Sequence, residues 1–80
     1  MILQYVEAAM SRAHYEIVED DHSFYGEIPG FEGLWANAPA LEACRKELQE
    51  TLEDWLLLSL RLNKPIPKIE NLTLDVQQVA

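Results

Sequence analysis

The spacing of apolar residues changes several times along the chain, and each change marks an element. Over residues 2–13, Ile2, Val6, Ala9 and Ala13 recur at steps of three and four and are widened by Leu3 and Met10, while Gln4, Glu7, Ser11 and Arg12 lie elsewhere. That spacing predicts a short amphipathic helix. A helix of this length is barely stable alone in water, so its stripe must pack on this chain's sheet or on another copy. From His14 the period becomes two: Tyr15 and Ile17 alternate with Glu16 and Glu19, as in a half-buried strand. Asp20-Asp21-His22-Ser23 reads as a turn, because short polar side chains bond nearby backbone. Phe24 to Ile28 reads as the returning strand, Pro29-Gly30-Phe31-Glu32-Gly33 as a break, and Leu34-Trp35-Ala36-Asn37 as a third strand.

A helical period returns from about Ala40 to Leu62, with Leu41, Cys44, Leu48, Leu52 and Trp55 on one stripe and Leu56 beside it. Pro39 precedes the first turn, Glu42 favours the positive N-terminal end, and Arg61 and Lys64 suit the C-terminal end. Asn63 is placed to close the helix, and Pro65 stops it. Residues 68–76 alternate again, with Leu72, Leu74 and Val76 on one face, as in a possible fourth strand after a right-handed crossover. The expected architecture is α+β: an N-terminal helix, a three-stranded antiparallel meander, a long helix and that strand. All of it forms one domain over 1–80, with its core in 14–76.

Composition narrows the function. The chain has 80 residues, 49% of them hydrophobic and 25% charged, as in a globular domain. A core this small is marginal, and oligomerisation is a common remedy. Six Lys and Arg stand against fourteen Asp and Glu, for a formal net charge of -8. The basic residues (Arg12, Arg45, Lys46, Arg61, Lys64 and Lys68) are scattered, so direct nucleic-acid binding is not expected. A basic partner steered in by opposite charge is. The single cysteine, Cys44, excludes an internal disulfide and reads as a buried thiol. The N-terminus lacks a signal-peptide pattern, and the longest apolar run, Trp55 to Leu58, is far too short to span a membrane. A cytoplasmic protein is expected.

The candidate chemistry is sparse. Glu19-Asp20-Asp21 is the densest polar cluster; it reads as a solvated turn or as a contact for a basic partner, without the spacing of a metal loop. His14 and His22 lack a nucleophile and orienting acid at a recognisable spacing, and the serines have no elbow motif. The chain is therefore expected to be no enzyme and to use no metal or cofactor. The aromatics, without interleaved basic residues, read as core rather than as a base-stacking platform. One feature exceeds the ordinary: Leu57, Leu58 and Leu60 make the end of the long helix apolar nearly all round. Together with Ile2, Val6 and Met10 of the first helix, they are expected to form a homo-oligomer interface.

The run Tyr15 to Asp21, followed by Phe24-Tyr25-Gly26-Glu27-Ile28-Pro29-Gly30-Phe31-Glu32-Gly33-Leu34-Trp35-Ala36, resembles the strand–turn–strand signature of the HicB antitoxin family. Leu41-Glu42-Ala43-Cys44, Leu48, Leu52-Glu53-Asp54-Trp55 and Pro65-Ile66-Pro67 follow in the same order, so the likeness covers roughly residues 14–68. The resemblance implies a partial RNase-H-like fold. It also implies that the chain neutralises a small basic HicA-type toxin that cleaves mRNA, by covering its active site. The expected partner surface is Glu19, Asp20, Asp21, Tyr25, Glu27, Glu32 and Trp35, gathered at the hairpin end of the sheet. Many relatives carry a C-terminal DNA-binding domain that represses their own operon; it has no counterpart in these residues, and that puts autorepression in doubt. Relatives usually place Ser or Thr at the helix N-cap, where this chain has Ala40; Asn37 is expected to cap instead. Two other readings stay open: an orphan oligomeric structural or regulatory protein, and a reduced RNase-H-like nuclease using Glu16, Glu27 and the turn acids. The latter would need acids converging on metal ions about 3.5–4 Å apart.

Overall fold

The computed structural model describes residues 2–69. A first helix, α1 (Ile2–Met10), leads into three strands, β1 (His14–Ile17), β2 (Phe24–Glu27) and β3 (Trp35–Ala38), and then the long helix α2 (Leu41–Arg61). The fold is α+β, as the apolar spacing predicts. The strands form an antiparallel meander in the order β1-β2-β3. Three residues, one from each strand, make each row across it: His14, Glu27 and Trp35; Tyr15, Gly26 and Ala36; Glu16, Tyr25 and Asn37; Ile17, Phe24 and Ala38.

Side chains alternate between the two faces of a strand. Tyr15, Ile17, Phe24, Gly26, Ala36 and Ala38 therefore share one face; α2 packs on its β2 and β3 part and leaves Ile17, at the β1 edge, exposed. Gly26, Ala36 and Ala38 are small where the helix comes close: a Cβ added to Gly26 would meet the Tyr15 ring at 2.9 Å and Cys44 Sγ at 3.2 Å. The helix contributes Cys44, Leu48, Leu52, Leu56 and Ser59 to the buried layer. The expected stripe is thus rotated. Leu41, expected in it, is exposed, and Trp55 is only half-buried.

α1 packs beside α2 and fills the remainder of the core with Tyr5, Val6, Ala9 and Met10. It stops at Met10 rather than Ala13, because Arg12 and Ala13 donate to the carbonyls of Ala9 and Met10 and tighten the chain into a turn. Residues 28–34 run through two turns, closed by Phe31 N–H to the Ile28 carbonyl and Leu34 N–H to the Phe31 carbonyl. Gly30 at φ 91° and Gly33 at φ 76° supply the left-handed positions. Ile28, Phe31 and Leu34 are buried, so the loop plugs the core. The Phe31 ring meets Tyr5 edge-on at 6.5 Å and Trp55 at 5.1 Å, tying the loop to both helices.

The ends of α2 divide the expectations. Asn63 closes it as predicted: its φ is 55°, and its N–H donates to the Leu60 carbonyl at 3.3 Å. Asn37 does not cap the start. The N-cap is Ala40, without a side-chain hydrogen bond, because Asn37 stands three residues earlier on β3, where its amide N–H donates to Ser23 Oγ and to the Phe24 carbonyl. Of the expected fourth strand only Lys68 and Ile69 are described; Ile69 is buried and forms a bridge, and residues 70–76 lie outside the described part. The Tyr5 hydroxyl donates to the Pro67 carbonyl and so holds the chain leaving α2 against α1. Among the described residues, no helix is long and apolar enough to cross a membrane.

Candidate functional site

The second face of the sheet carries His14 and Glu16 from β1, Tyr25 and Glu27 from β2, and Trp35 and Asn37 from β3. Neither helix covers it: His14, Glu16, Glu27, Trp35 and Asn37 are all exposed, Trp35 by 54%. No lysine or arginine occupies a strand position. The face is a two-by-three grid in which the Glu16–Glu27 pair and the Tyr25–Trp35 pair stand on parallel diagonals.

The rings are ordered. Tyr25 and Trp35, diagonal neighbours on adjacent strands, stack with centroids 6.1 Å apart and planes 23° from parallel. The Tyr25 hydroxyl donates to Glu27 Oε1 at 3.3 Å, which ties one carboxylate to the rim of the aromatic surface. Desolvation pushes the Tyr25 phenol above its ordinary value, and the negative charges of Glu27 and Glu16 push it the same way. A half-buried tyrosine stacked on an exposed tryptophan and flanked by anions has the chemistry to attract a cation.

The acidic turn is a different place. Four-residue strands span only about 10 Å, and the turn joins the Ile17–Phe24 end, whereas Glu27 and Trp35 stand at the other end. The expected gathering of Glu19, Asp20, Asp21, Glu27 and Glu32 at one hairpin end is therefore corrected. Glu32 belongs to the loop after β2, beside the Glu27 and Trp35 row, and its carbonyl accepts from Trp55 Nε1 at 3.3 Å. Within the turn, Asp21 is a structural residue. Its Oδ1 accepts from the Ser23 hydroxyl at 2.6 Å and the Ser23 N–H at 3.0 Å, and the first of these leads in holding its carboxyl below the usual value. Ser23 in turn accepts from Asn37, so the turn is wired to β3. His22 takes the left-handed conformation at φ 57° to complete the reversal. Glu19 and Asp20 remain exposed at the tip.

The expected oligomer residues also divide. Val6 and Met10 are buried in this chain's own core, which corrects their assignment to an outward face; α1 turns them inward against α2 and the loop. Leu57 and Leu58 remain exposed by 61% and 56%, and Leu60 is half-buried. Ile2 lies in α1, but its side chain is outside the described part. Cys44 is buried and its thiol is pushed up by burial, as an inert core cysteine requires. Among the described residues, no three His, Cys, Asp or Glu side chains come together as a metal group.

Sequence reasoning missed Glu16 and His14 as companions of Tyr25 and Trp35, although the period-two spacing of β1 places both on one face. It also missed Tyr5, whose position four before Ala9 was the available signal.

Three comparisons bear on this geometry. A family model described as UPF0150-like matches residues 4–67, which include all three strands and α2. The crystal structure of TTHA0281 from Thermus thermophilus matches with a TM-score of 0.84 and 40% sequence identity, covering 91% of this chain and 96% of that one. No curated protein matches the chain.

Proposed function

The chain belongs to the UPF0150-like family, and on that premise we propose that it is an antitoxin-like binding module that neutralises a small basic HicA-type toxin by covering its active site. The observation that carries this reading is the open sheet face: a stacked Tyr25–Trp35 pair with Glu16 and Glu27 beside it and no cation on the strands. Aromatic residues dominate interface hot spots, and complementary charge steers the encounter. The net charge of -8 extends that field over the whole chain. The HicB resemblance of residues 14–68 names the class of partner; the acidic aromatic face supplies a way to hold it. A nuclease reading is weaker, since Glu16 and Glu27 share the sheet face while Glu19 and Asp20 stand at the turn tip. The test is co-expression with a HicA-type toxin. Growth should be restored and the two chains should copurify, and the Tyr25→Ala/Trp35→Ala variant should lose both effects while remaining folded. Failure of the unaltered chain to bind or protect would refute the reading.

The exposed leucines support a second, compatible reading: self-association through the end of α2. Leu58 and Leu62 stand one turn apart, with Leu57 beside them, and all three are exposed. Light scattering at micromolar concentration should give at least twice the mass of one chain, and Leu57→Glu should reduce it. A single-chain mass across the concentration range would remove this reading without touching the first.

A further inference from the structure

We propose that the open sheet face is selective for arginine: a guanidinium from the partner lies on the Tyr25–Trp35 surface with its N–H groups directed to Glu16 and Glu27. This rests on the reading of that face as the seat of a basic protein, and goes beyond it by naming the side chain that is recognised.

The geometry meets each need of a guanidinium. The two rings stack with centroids 6.1 Å apart and planes 23° from parallel, so a planar cation can continue the stack over the exposed indole. With Trp35 exposed by 54%, that surface is accessible from solvent. A planar guanidinium stacks on such a surface and is attracted to its electron-rich face. The carboxylates stand on two sides of Tyr25. Glu16 is its cross-strand partner on β1, and Glu27 is two residues along β2 with Oε1 fixed by the phenol at 3.3 Å. The five donors of arginine can stack and bind carboxylate oxygens at the same time. Lysine, a compact point charge, gains the attraction to the carboxylates without the planar contact.

Other occupants fit less well. A nucleobase would find the stacking surface, but its phosphates would meet two carboxylates and no strand cation. A purely apolar partner would strip water from Glu16 and Glu27 without pairing them, which is costly.

The test titrates the full chain, in a Trp55→Phe background so that Trp35 alone reports, with nona-arginine and nona-lysine peptides at equal ionic strength. The arginine peptide should bind roughly three- to five-fold tighter and change Trp35 emission. Glu16→Gln/Glu27→Gln should weaken both peptides. Trp35→Ala, followed by peptide fluorescence polarisation, should remove the preference and leave residual binding of both. Its circular dichroism should match that of the unaltered chain, since the side chain is mostly outside the core. Trp35→Phe should keep part of the preference. Equal affinities for the two peptides would overturn the arginine proposal and leave the basic-partner reading in place. An arginine preference that survives Trp35→Ala would also overturn it. Binding of neither peptide would overturn both.

Discussion

The two faces of the sheet are built from the same twelve strand positions and use them in opposite ways. The face under α2 places Gly26 on the central strand and Ala36 and Ala38 on β3, and nothing larger than Gly fits between Tyr15 and Cys44 at position 26. The open face carries Tyr25 and Trp35, the bulkiest residues of their strands, where the described fold requires no filling. Packing explains the first face except at Ile17, which is exposed at the β1 edge, and does not explain the second. A small domain with a marginal core gains by burying an exposed tryptophan, and this one leaves it outside. The difference separates residues that make the fold from residues available to a partner.

The largest expected effect lies on the closed side. Leu52 is fully buried beneath the sheet, and Leu52→Ala should lower stability by about 2–5 kcal/mol. A denaturant titration measures it; toxin binding measured well below the midpoint should be unchanged. The next effect should be its mirror image. Tyr25→Ala/Trp35→Ala should cost about 2 kcal/mol or more in partner affinity by calorimetry, with a stability change under about 1 kcal/mol. Comparable losses of stability in both variants would erase the distinction between the faces.

A third prediction uses the buried phenol that closes the core from the α1 side. Burial pushes Tyr5 up to about 12 from 10.0. A folded-state value above the unfolded one means that the neutral form is favoured by folding. The associated stability is complete below pH 10 and is lost as pH rises toward about 12, on the order of 2 kcal/mol. Melting temperatures across that range should fall, and Tyr5→Phe should flatten the part due to this group.

The smallest effect concerns the turn. Hydrogen bonds from Ser23 hold the Asp21 carboxyl below its ordinary 3.8. The depressed value means that its contribution is complete above that pH and fades as pH falls below it. Asp21→Asn should loosen the hairpin, seen as faster amide exchange at Val18 and His22, whose N–H groups close it. Glu19→Gln/Asp20→Asn should leave exchange unchanged and alter only the salt dependence of toxin association. That pair of variants separates the turn's structural acid from its two free ones.

Element types were legible because period two and period 3.6 survive in short windows, and Asn63 and Gly33 stand where left-handed positions need them. Helix rotation was less legible. The α2 stripe could be drawn through Leu41 and Trp55 or through Leu56 and Ser59, and only contact with Ala36 and Gly26 decides. Asn37 shows the same limit: a side-chain oxygen caps a helix start only from the N-cap position, and the register places Asn37 on β3, three residues before Ala40. The candidate site was half legible. Tyr25, Glu27 and Trp35 were identified by type, but they were grouped with the acidic turn because sequence proximity hides that a short strand separates its two ends. Glu16 was read with Glu27 as a nuclease acid and not with Tyr25 and Trp35, because these partners on the face are nine and nineteen residues away along the chain and only the register joins them.

The central claim, that the open sheet face is the partner surface, is tested most directly by backbone NMR of the isotopically labelled chain titrated with a HicA-type toxin. The account predicts that the largest shift changes fall on His14, Glu16, Tyr25, Glu27, Trp35 and Asn37 and on the Trp35 indole. The outward positions of α2, such as Glu42, Arg45 and Gln49, should move little. Changes concentrated on α2, with the Trp35 indole unmoved at saturation, would contradict it.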